Sequence, residues 1–553
     1  MSKLCCIAVF GLLLAGGMTA GRAELAPTTI NNDARTATHV LNRVAFGARP
    51  GGVERVRAIG IDRYIDEQLH PERIPDTSMA PRLAGLSSLT MSSREISEKY
   101  EQPLLQARRE RAANGRQNGQ PQNGQANGDL PPPMQDPVQQ RAQSVVLELS
   151  EQKLLRAIYS DRQLQEVLAD FWFNHFNVDA RKGQDRFMLT EYERDTIRPH
   201  VLGKFRDLLE ATAKSPAMLF YLDNWMSADP AGPHPGGNAA RGGFGRGRFG
   251  AMPPRMPPPR TGTEVGGNLK QPPSAGRRGL NENYGRELME LHTLGVDGGY
   301  TQKDVTEVAR ALTGWTIRNP RQGGGFQFEP RLHDEGQKVV LGHVIKAGGG
   351  QSDGEQVLDI LARHPSTAKF ISTKLVRRFV SDTPPQALVD RAAKRFADTG
   401  GDIREVMRTI LTSPEFFAPD AYRAKVKTPF EFVVSAVRST GADVDDAMPL
   451  VRAVNQLGMP LYQCQPPTGY KDTADAWVNT GALVNRMNVA LQITSGQMRR
   501  AIRRVDLPPD GDAMIARLLG GDASDTTRGT IAKAATPPQM AALTLGSPEF
   551  QRR

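Results

Sequence analysis

A glutamate falls in the middle of an apolar helical face in the segment that runs from Gly279 to Gly295. At about 100° per residue, that face consists of Leu280, Tyr284, Leu288 and Leu291. Glu287 lies within the face, and three polar residues flank it: Asn283, Glu290 and His292. A carboxylate that points into a core must be paired, bind a metal or have a raised pKa. The position therefore predicts either an ion pair with a buried arginine or a catalytic acid/base or metal ligand at Glu287.

A histidine occupies a comparable position in an earlier segment. His175 lies eleven residues after Leu164, which returns it to the same apolar face of a helix, beside Phe171. Asn174 lies on the flank of that helix, one turn from Asp170. A core histidine is usually satisfied by a backbone carbonyl, so a structural role for His175 is the alternative to a catalytic one.

His333 and Asp334 form the third candidate, in a polar stretch between two segments of β character. Polar residues at a tight turn are usually turn formers, which is the alternative interpretation. We expect Glu287, His175, His333 and Asp334 to converge on one pocket as catalytic residues, with the flanking polar residues around them.

Such imidazoles and carboxylates would suit a divalent metal or a metal-free acid/base pair, although their spacing matches no recognised ligand signature. Hydrolysis is the expected chemistry, because these groups activate water without an organic cofactor. The alternative is a non-catalytic binding or assembly protein, in which the same residues form a buried polar network that fixes helix packing.

Helical periodicity dominates the segments that would position these residues. Helices are predicted from Leu164, from Thr301 with a capping box to Asp304, and over four further segments: Ser352–Ala362, Thr367–Val380, Ile403–Leu411 and Ala476–Thr494. Phe326 and Phe328 alternate with polar residues before the run Val339–Leu341, which predicts a small hairpin. The expected fold is mainly α: a bundle-like single large domain with one small β-hairpin.

The amino terminus has the three parts of a secretory signal. Lys3 precedes an apolar run from Leu4 to Leu14, and Gly21-Arg22-Ala23 fits a cleavage site after Ala23. The run is shorter than the roughly 20 apolar residues that span a bilayer, and no later segment is apolar enough to cross one. We therefore expect a periplasmic or extracellular protein without a transmembrane segment, in which Cys464 is the one remaining cysteine.

Two low-complexity stretches, at about 112–136 and 229–279, are predicted to be disordered insertions, since they lack the apolar residues that a core needs. Between Ala231 and Gly279 the chain has eight basic residues and one acid, which accounts for most of the net charge of +10. The charge thus belongs to one unusual segment, and a nucleic-acid partner is not expected.

Several long motifs resemble the bacterial family called domain of unknown function 1800 (DUF1800). They are His39–Gly47, Phe171–Phe176, Leu280–Gly295, Tyr300–Trp315, His333-Asp334, Lys374–Phe379, Pro467–Tyr470 and Ser547–Gln551. The resemblance runs over residues 33–553 and implies an exported, helical protein whose activity is not established. Members are often encoded beside an exported family related to alkaline phosphatases and sulfatases, which implies a phosphatase- or sulfatase-like partner.

Overall fold

Most of the chain folds into helices, several of which begin at a capping side chain. The computed structural model describes residues 30–117, 137–232, 279–498 and 501–553. The capping box predicted at Thr301 is confirmed: its hydroxyl accepts from the backbone N–H of Asp304, whose carboxylate accepts from the N–H of Thr301. Thr428 and Glu431 form a second capping box of the same kind.

The helices occupy both halves of the described chain. In order they are α1 Ala34–Val44, α2 Gly52–Ile59, α3 Ile61–Leu69, α4 Met79–Leu83, α5 Ser93–Ile96, α6 Gln102–Gln117, α7 Pro137–Tyr159, α8 Gln163–His175, α9 Leu189–Glu191, α10 Phe205–Ala213, α11 Pro216–Tyr221, α12 Glu282–Glu290, α13 Gln302–Ala311, α14 Ser352–Arg363, α15 Pro365–Phe379, α16 Gln386–Asp398, α17 Ile403–Leu411, α18 Pro429–Ser439, α19 Met448–Gln456, α20 Thr480–Thr494, α21 Gly511–Leu519, α22 Asp525–Ile531, α23 Pro537–Gly546 and α24 Pro548–Gln551. The prediction of a mainly α fold is confirmed.

Within the described ranges, three small antiparallel sheets of two strands each accompany the helices. The strands are β1 Trp315–Ile317, β2 Phe326–Phe328, β3 Lys338–Val340, β4 His343–Ile345, β5 Asp443–Val444 and β6 Ile502–Arg504. They pair as β1 with β2, β3 with β4 and β5 with β6.

The predicted hairpin is in fact two hairpins. Phe328 pairs with Trp315, and Val340 pairs with His343, so β2 and β3 are not partners. The β3–β4 turn has positive φ at both Leu341 (47°) and Gly342 (80°), the conformation of a tight two-residue hairpin turn. Leucine at the first of these positions is an unusual turn residue, which is why the sequence did not indicate the turn.

One large apolar core contains residues from Ala37 to Phe550, and α8 crosses it with most of its side chains buried. Trp172 at the centre of α8 is fully buried, and its indole N–H donates to the carbonyl of Val201 at 3.1 Å. α8 therefore provides a rigid element on which Asn174 and His175 are carried.

The predicted export signal lies outside the described residues, as does most of both predicted insertions. The described ends of the insertions include the last turns of α6, which runs through Gln117 and so extends past the predicted boundary at residue 112. Within the described ranges, no helix has the combined length and apolar character needed to cross a bilayer.

Candidate functional site

An open cavity of about 230 Å³ lies between the end of α8, one face of α15 and the loop of residues 468–473. α8 contributes Asp170, Phe171, Asn174 and His175, α15 contributes Lys374, Arg377 and Arg378, and the loop contributes Tyr470, Lys471 and Asp472. The cavity that these ten residues line is called the α8–α15 cavity below. Its walls combine cations, two carboxylates and aromatic rings.

Two asparagines, one in the last turn of α8 and one just after the helix, hold the chain from Cys464 to Tyr470. The side-chain amide of Asn174 donates to the carbonyl of Tyr470 at 2.8 Å, and its oxygen accepts from the N–H of Tyr470 at 2.7 Å. Asn177 donates to the carbonyl of Cys464 at 2.9 Å. Gly469 lies between these anchors with φ +73°, and a Cβ there would stand 2.2 Å from the carbonyl oxygen of Asn174. Only glycine permits this close approach.

His175 and Lys374 form a hydrogen-bonded pair at the cavity wall. The Lys374 ammonium donates to Nδ1 of His175 at 2.8 Å. Nε2 of His175 lies 3.1 Å from the carbonyl oxygen of His292, so the ring hydrogen belongs on Nε2 and the lone pair on Nδ1 faces the lysine. His292 thus sets the tautomer of His175 through its main chain.

Burial lowers the pKa of all three groups. Desolvation and then the charge of Lys374 hold the pKa of His175 well below its ordinary value, and the same causes lower that of His292 to about 3. Desolvation lowers the pKa of Lys374 from 10.5 to about 8, with Asp472 acting in the opposite direction. At neutral pH, both imidazoles are neutral and Lys374 is close to its own titration.

Arg378 connects the cavity to a buried ion-pair network. Its Nη1 lies 2.6 Å from a carboxylate oxygen of Glu431, which also lies 2.9 Å from Nε of Arg553. Burial would raise the pKa of Glu431, but the charges of Arg378 and Arg553 outweigh it and lower the pKa to about 2. Asp472 lies 3.4 Å from Lys425 in the same network.

Glu287 lies on α12, half-buried, and the α8–α15 cavity is lined by other residues. Desolvation, followed by repulsion from Glu290, raises the pKa of Glu287. Glu290 accepts a hydrogen bond from the Tyr300 hydroxyl at 3.0 Å, and Asn283 is exposed. The main chain of Glu287 does reach the site region, since its carbonyl accepts from the N–H of His292 at 3.1 Å.

His333 and Asp334 lie in a separate polar cluster. The His333 ring faces the carbonyl of Thr313 at 2.8 Å and the carboxylate of Asp353 at 3.2 Å, and both the His333 and Asp353 side chains are fully buried. Asp334 accepts two hydrogen bonds from Arg310, at 2.7 and 3.0 Å. Burial opposes ionisation of Asp334, but these bonds outweigh it and lower its pKa.

The structure thus brings together three of the residues singled out from sequence, Asn174, His175 and His292, and places the others elsewhere. The basic residues of α15 and the loop were not among the predicted site residues. Lys374 and Arg378 are four residues apart and so lie on the same face of α15, each followed by an apolar residue, Leu375 and Phe379. This spacing of two basic residues was the signal in the sequence that could have identified them as site residues. Among the described residues, no group of three His, Cys, Asp or Glu side chains is arranged to hold a metal ion.

Comparison with known proteins gives a family and nothing finer. No curated protein and no solved structure matches the chain significantly. The family described as "Protein of unknown function (DUF1800)" matches residues 39–552. This range includes every residue of the α8–α15 cavity, as well as Glu287 and the polar cluster of His333 and Asp334. The chain therefore belongs to the DUF1800 family, as its motifs indicated.

Proposed function

We propose that the chain is an exported hydrolase whose active site is the α8–α15 cavity, with Lys374 as general acid. The observation that carries the proposal is the hydrogen bond from Lys374 to the neutral ring of His175, at the wall of an open cavity. A lysine whose pKa is about 8 is a competent proton donor near neutral pH, because it holds its proton but releases it readily.

The pair divides the work in a simple way. His175 is held by the His292 carbonyl and fixes one hydrogen of the ammonium, which leaves the other two free to point into the cavity. The proposed substrate is an ester. In the proposed step, the oxygen of a water molecule attacks the bound ester and its proton passes to Asp472, while Lys374 donates a proton to the leaving oxygen. Asp472 lines the same cavity as Lys374, and its Oδ1 lies 3.4 Å from the Lys425 ammonium.

Esters with different leaving groups test the role of Lys374. Phenyl esters need a proton at the leaving oxygen more than 4-nitrophenyl esters do, so Lys374→Met should slow the phenyl ester by about 100-fold and the 4-nitrophenyl ester by less. Lys369→Met, on the exposed side of α15, is the matched control. Equal rates in Lys374→Met and the parent protein would sink the proposal.

Export is tested separately. The signal features around Lys3 and Ala23 support it. The protein recovered from the periplasm or medium should begin at Glu24 when its amino terminus is sequenced. A cytoplasmic protein that retains its first residues would contradict export, whatever its activity.

A second function, as a binding or assembly partner, is favoured by exposed apolar side chains near the cavity loop. Leu483, Val484 and Leu491 on α20 and Val478 just before it are 39–56% exposed. In this alternative the partner is the exported phosphatase- or sulfatase-like protein. Co-expression followed by size-exclusion chromatography tests it: Val484→Asp should abolish a complex that Lys374→Met leaves intact.

A further inference from the structure

The charges around the α8–α15 cavity do not balance within its walls. Four cationic side chains line it, Lys374, Arg377, Arg378 and Lys471, against the two carboxylates Asp170 and Asp472. Both carboxylates already meet cations of their own outside the lining. Lys153 lies 2.7 Å from Asp170, and Lys425 lies 3.4 Å from Asp472. Arg378 in turn meets Glu431 at 2.6 Å, and Lys471 meets Asp475 at 3.7 Å. Lys374 and Arg377 have no carboxylate partner among the described residues, and they give the cavity its excess of positive charge.

One of these cations also has free donors. Arg378 is only 4% exposed, and its Nη1 is used by Glu431 at 2.6 Å. Its Nε and Nη2 have no hydrogen-bond partner within the described parts of the chain, and Asp170 stays 3.8 Å from Nη2. Buried donors are nearly always satisfied, so two unpaired ones on a guanidinium that lines the cavity favour an anionic ligand. Both atoms are shielded from solvent, so the Arg378 side chain would have to adjust for an anion to reach them. The Nε and Nη2 edge has the spacing that binds two oxygens of one oxyanion.

We propose that this cavity binds a tetrahedral oxyanion, the phosphate or sulfate group of a small ester, with Arg378, Arg377 and Lys471 holding the charged group. The three non-bridging oxygens of such a group accept from more donors than the two oxygens of a carboxylate do. Phe171 and Tyr470 line the same cavity and provide surface for the organic part of the ester. A cavity of about 230 Å³ fits a small molecule.

The substrate class that follows from this inference rests on the proposed function: the hydrolase would act on phosphate or sulfate esters. The bound anion would also hold the neighbouring Lys374 in its protonated form, which is the form that acts as the general acid. The organic part would then extend toward the loop, where Asn174 fixes the backbone of Tyr470.

Titration calorimetry with inorganic phosphate, sulfate and acetate at low salt tests the inference on the whole mature protein. Phosphate or sulfate should bind at least about tenfold more tightly than acetate, and the preferred one of the two identifies the ester class. Arg377→Gln and Lys471→Met should each weaken binding by about tenfold. Both replace side chains outside the buried Glu431 network, so folding should be unaffected.

Lys369→Met removes the same charge from the exposed side of α15 and should bind as the parent protein does. Equal weakening in Lys369→Met and Lys471→Met would show attraction to net charge only, and would overturn the inference. Phosphate and sulfate binding no tighter than acetate would do the same. Specific binding by a protein that hydrolyses no ester would uphold the site and contradict only the hydrolase.

Discussion

Replacing Lys374 with methionine removes the amine from the α8–α15 cavity and keeps a side chain of similar length. In the folded protein Lys374 is protonated below a pKa of about 8, whereas its ordinary pKa, which the unfolded chain would show, is 10.5. Between these values the unfolded state binds more protons, so burying this lysine costs stability at low pH and the cost disappears as pH rises. Relief of this desolvation cost is therefore the stabilising contribution of removing the lysine at pH 7.

The size of the effect follows from the two pKa values. Their difference corresponds to about 3 kcal/mol, and because Lys374 faces cavity water we expect about 1–3 kcal/mol. The variant leaves Nδ1 of His175 without its donor, which costs about 1–3 kcal/mol in the opposite direction. This second contribution is constant above pH 7, because His175 stays neutral there. The change of the stability difference with pH is therefore the diagnostic quantity.

Urea unfolding, monitored by circular dichroism at several pH values between 7 and 10.5, measures how the stability difference changes with pH. The free energy of unfolding of Lys374→Met, relative to the parent protein, should fall by about 1–3 kcal/mol over this range, with half of the fall complete near about pH 9. Lys369→Met, with an exposed lysine removed, should show no such slope. A flat difference for Lys374→Met would refute the reasoning, since Lys374 would then titrate normally.

Three further changes test the surroundings of the site. Gly469→Ala places a Cβ against the Asn174 carbonyl at positive φ, and urea unfolding should show a loss of about 2 kcal/mol or more, together with weaker phosphate binding. Glu287→Gln should leave ester hydrolysis unchanged and should not lower stability at pH 7, because burial already raises the pKa of that carboxyl. Arg553→Met leaves Glu431 with one guanidinium fewer and should cost about 3 kcal/mol at pH 7 by urea unfolding. In Arg553→Met the pKa of Glu431 should rise from its value of about 2 in the parent protein. Below about pH 4.5 the parent protein therefore loses more stability than the variant does, and the difference between them should shrink.

Two of these changes have a matched control in the same chain. Gly458 also has positive φ (90°) but open space around its Cα, so Gly458→Ala should cost less than Gly469→Ala. Arg552 is exposed beside Arg553, and Arg552→Met should be nearly neutral. Equal losses within either pair would contradict the contacts described here. Loss of hydrolysis in Glu287→Gln would restore the catalytic interpretation of that residue.

Local features of the chain were predictable because they depend on neighbouring residues. The limits of α17, Ile403–Leu411, follow from its apolar spacing, and the capping box at Thr301 follows from two side chains three residues apart. The apolar spacing of α13 continues in the sequence as far as Trp315, but Gly314 takes φ +79° and the tryptophan begins β1 instead. The sequence alone does not distinguish a glycine that ends a helix from one that a helix tolerates, because the difference depends on the residues that pack around it.

The site was only half predictable, for a reason that lies in its construction. His175 and Asn174 stand out because polar residues within an apolar motif are conspicuous. Their partners come from elements far along the chain: Lys374 is about 200 residues away and Tyr470 about 300. Nothing in the local pattern around Lys374 states that its amine meets an imidazole, because that contact is made by helix packing.

Two buried cations at the α8–α15 cavity are only partly compensated. Some buried cations elsewhere meet a carboxylate, as Arg198 meets Glu166 at 2.8 Å, or donate to backbone carbonyls as Arg438 does, although Arg43 also has two donors without a partner among the described residues. At the cavity, Lys374 has only a neutral histidine and Arg378 keeps two free donors. Both arrangements cost stability, and a bound anion would relieve both at once. Proteins keep such costs where function requires them, which is why we infer that this cavity binds an anion.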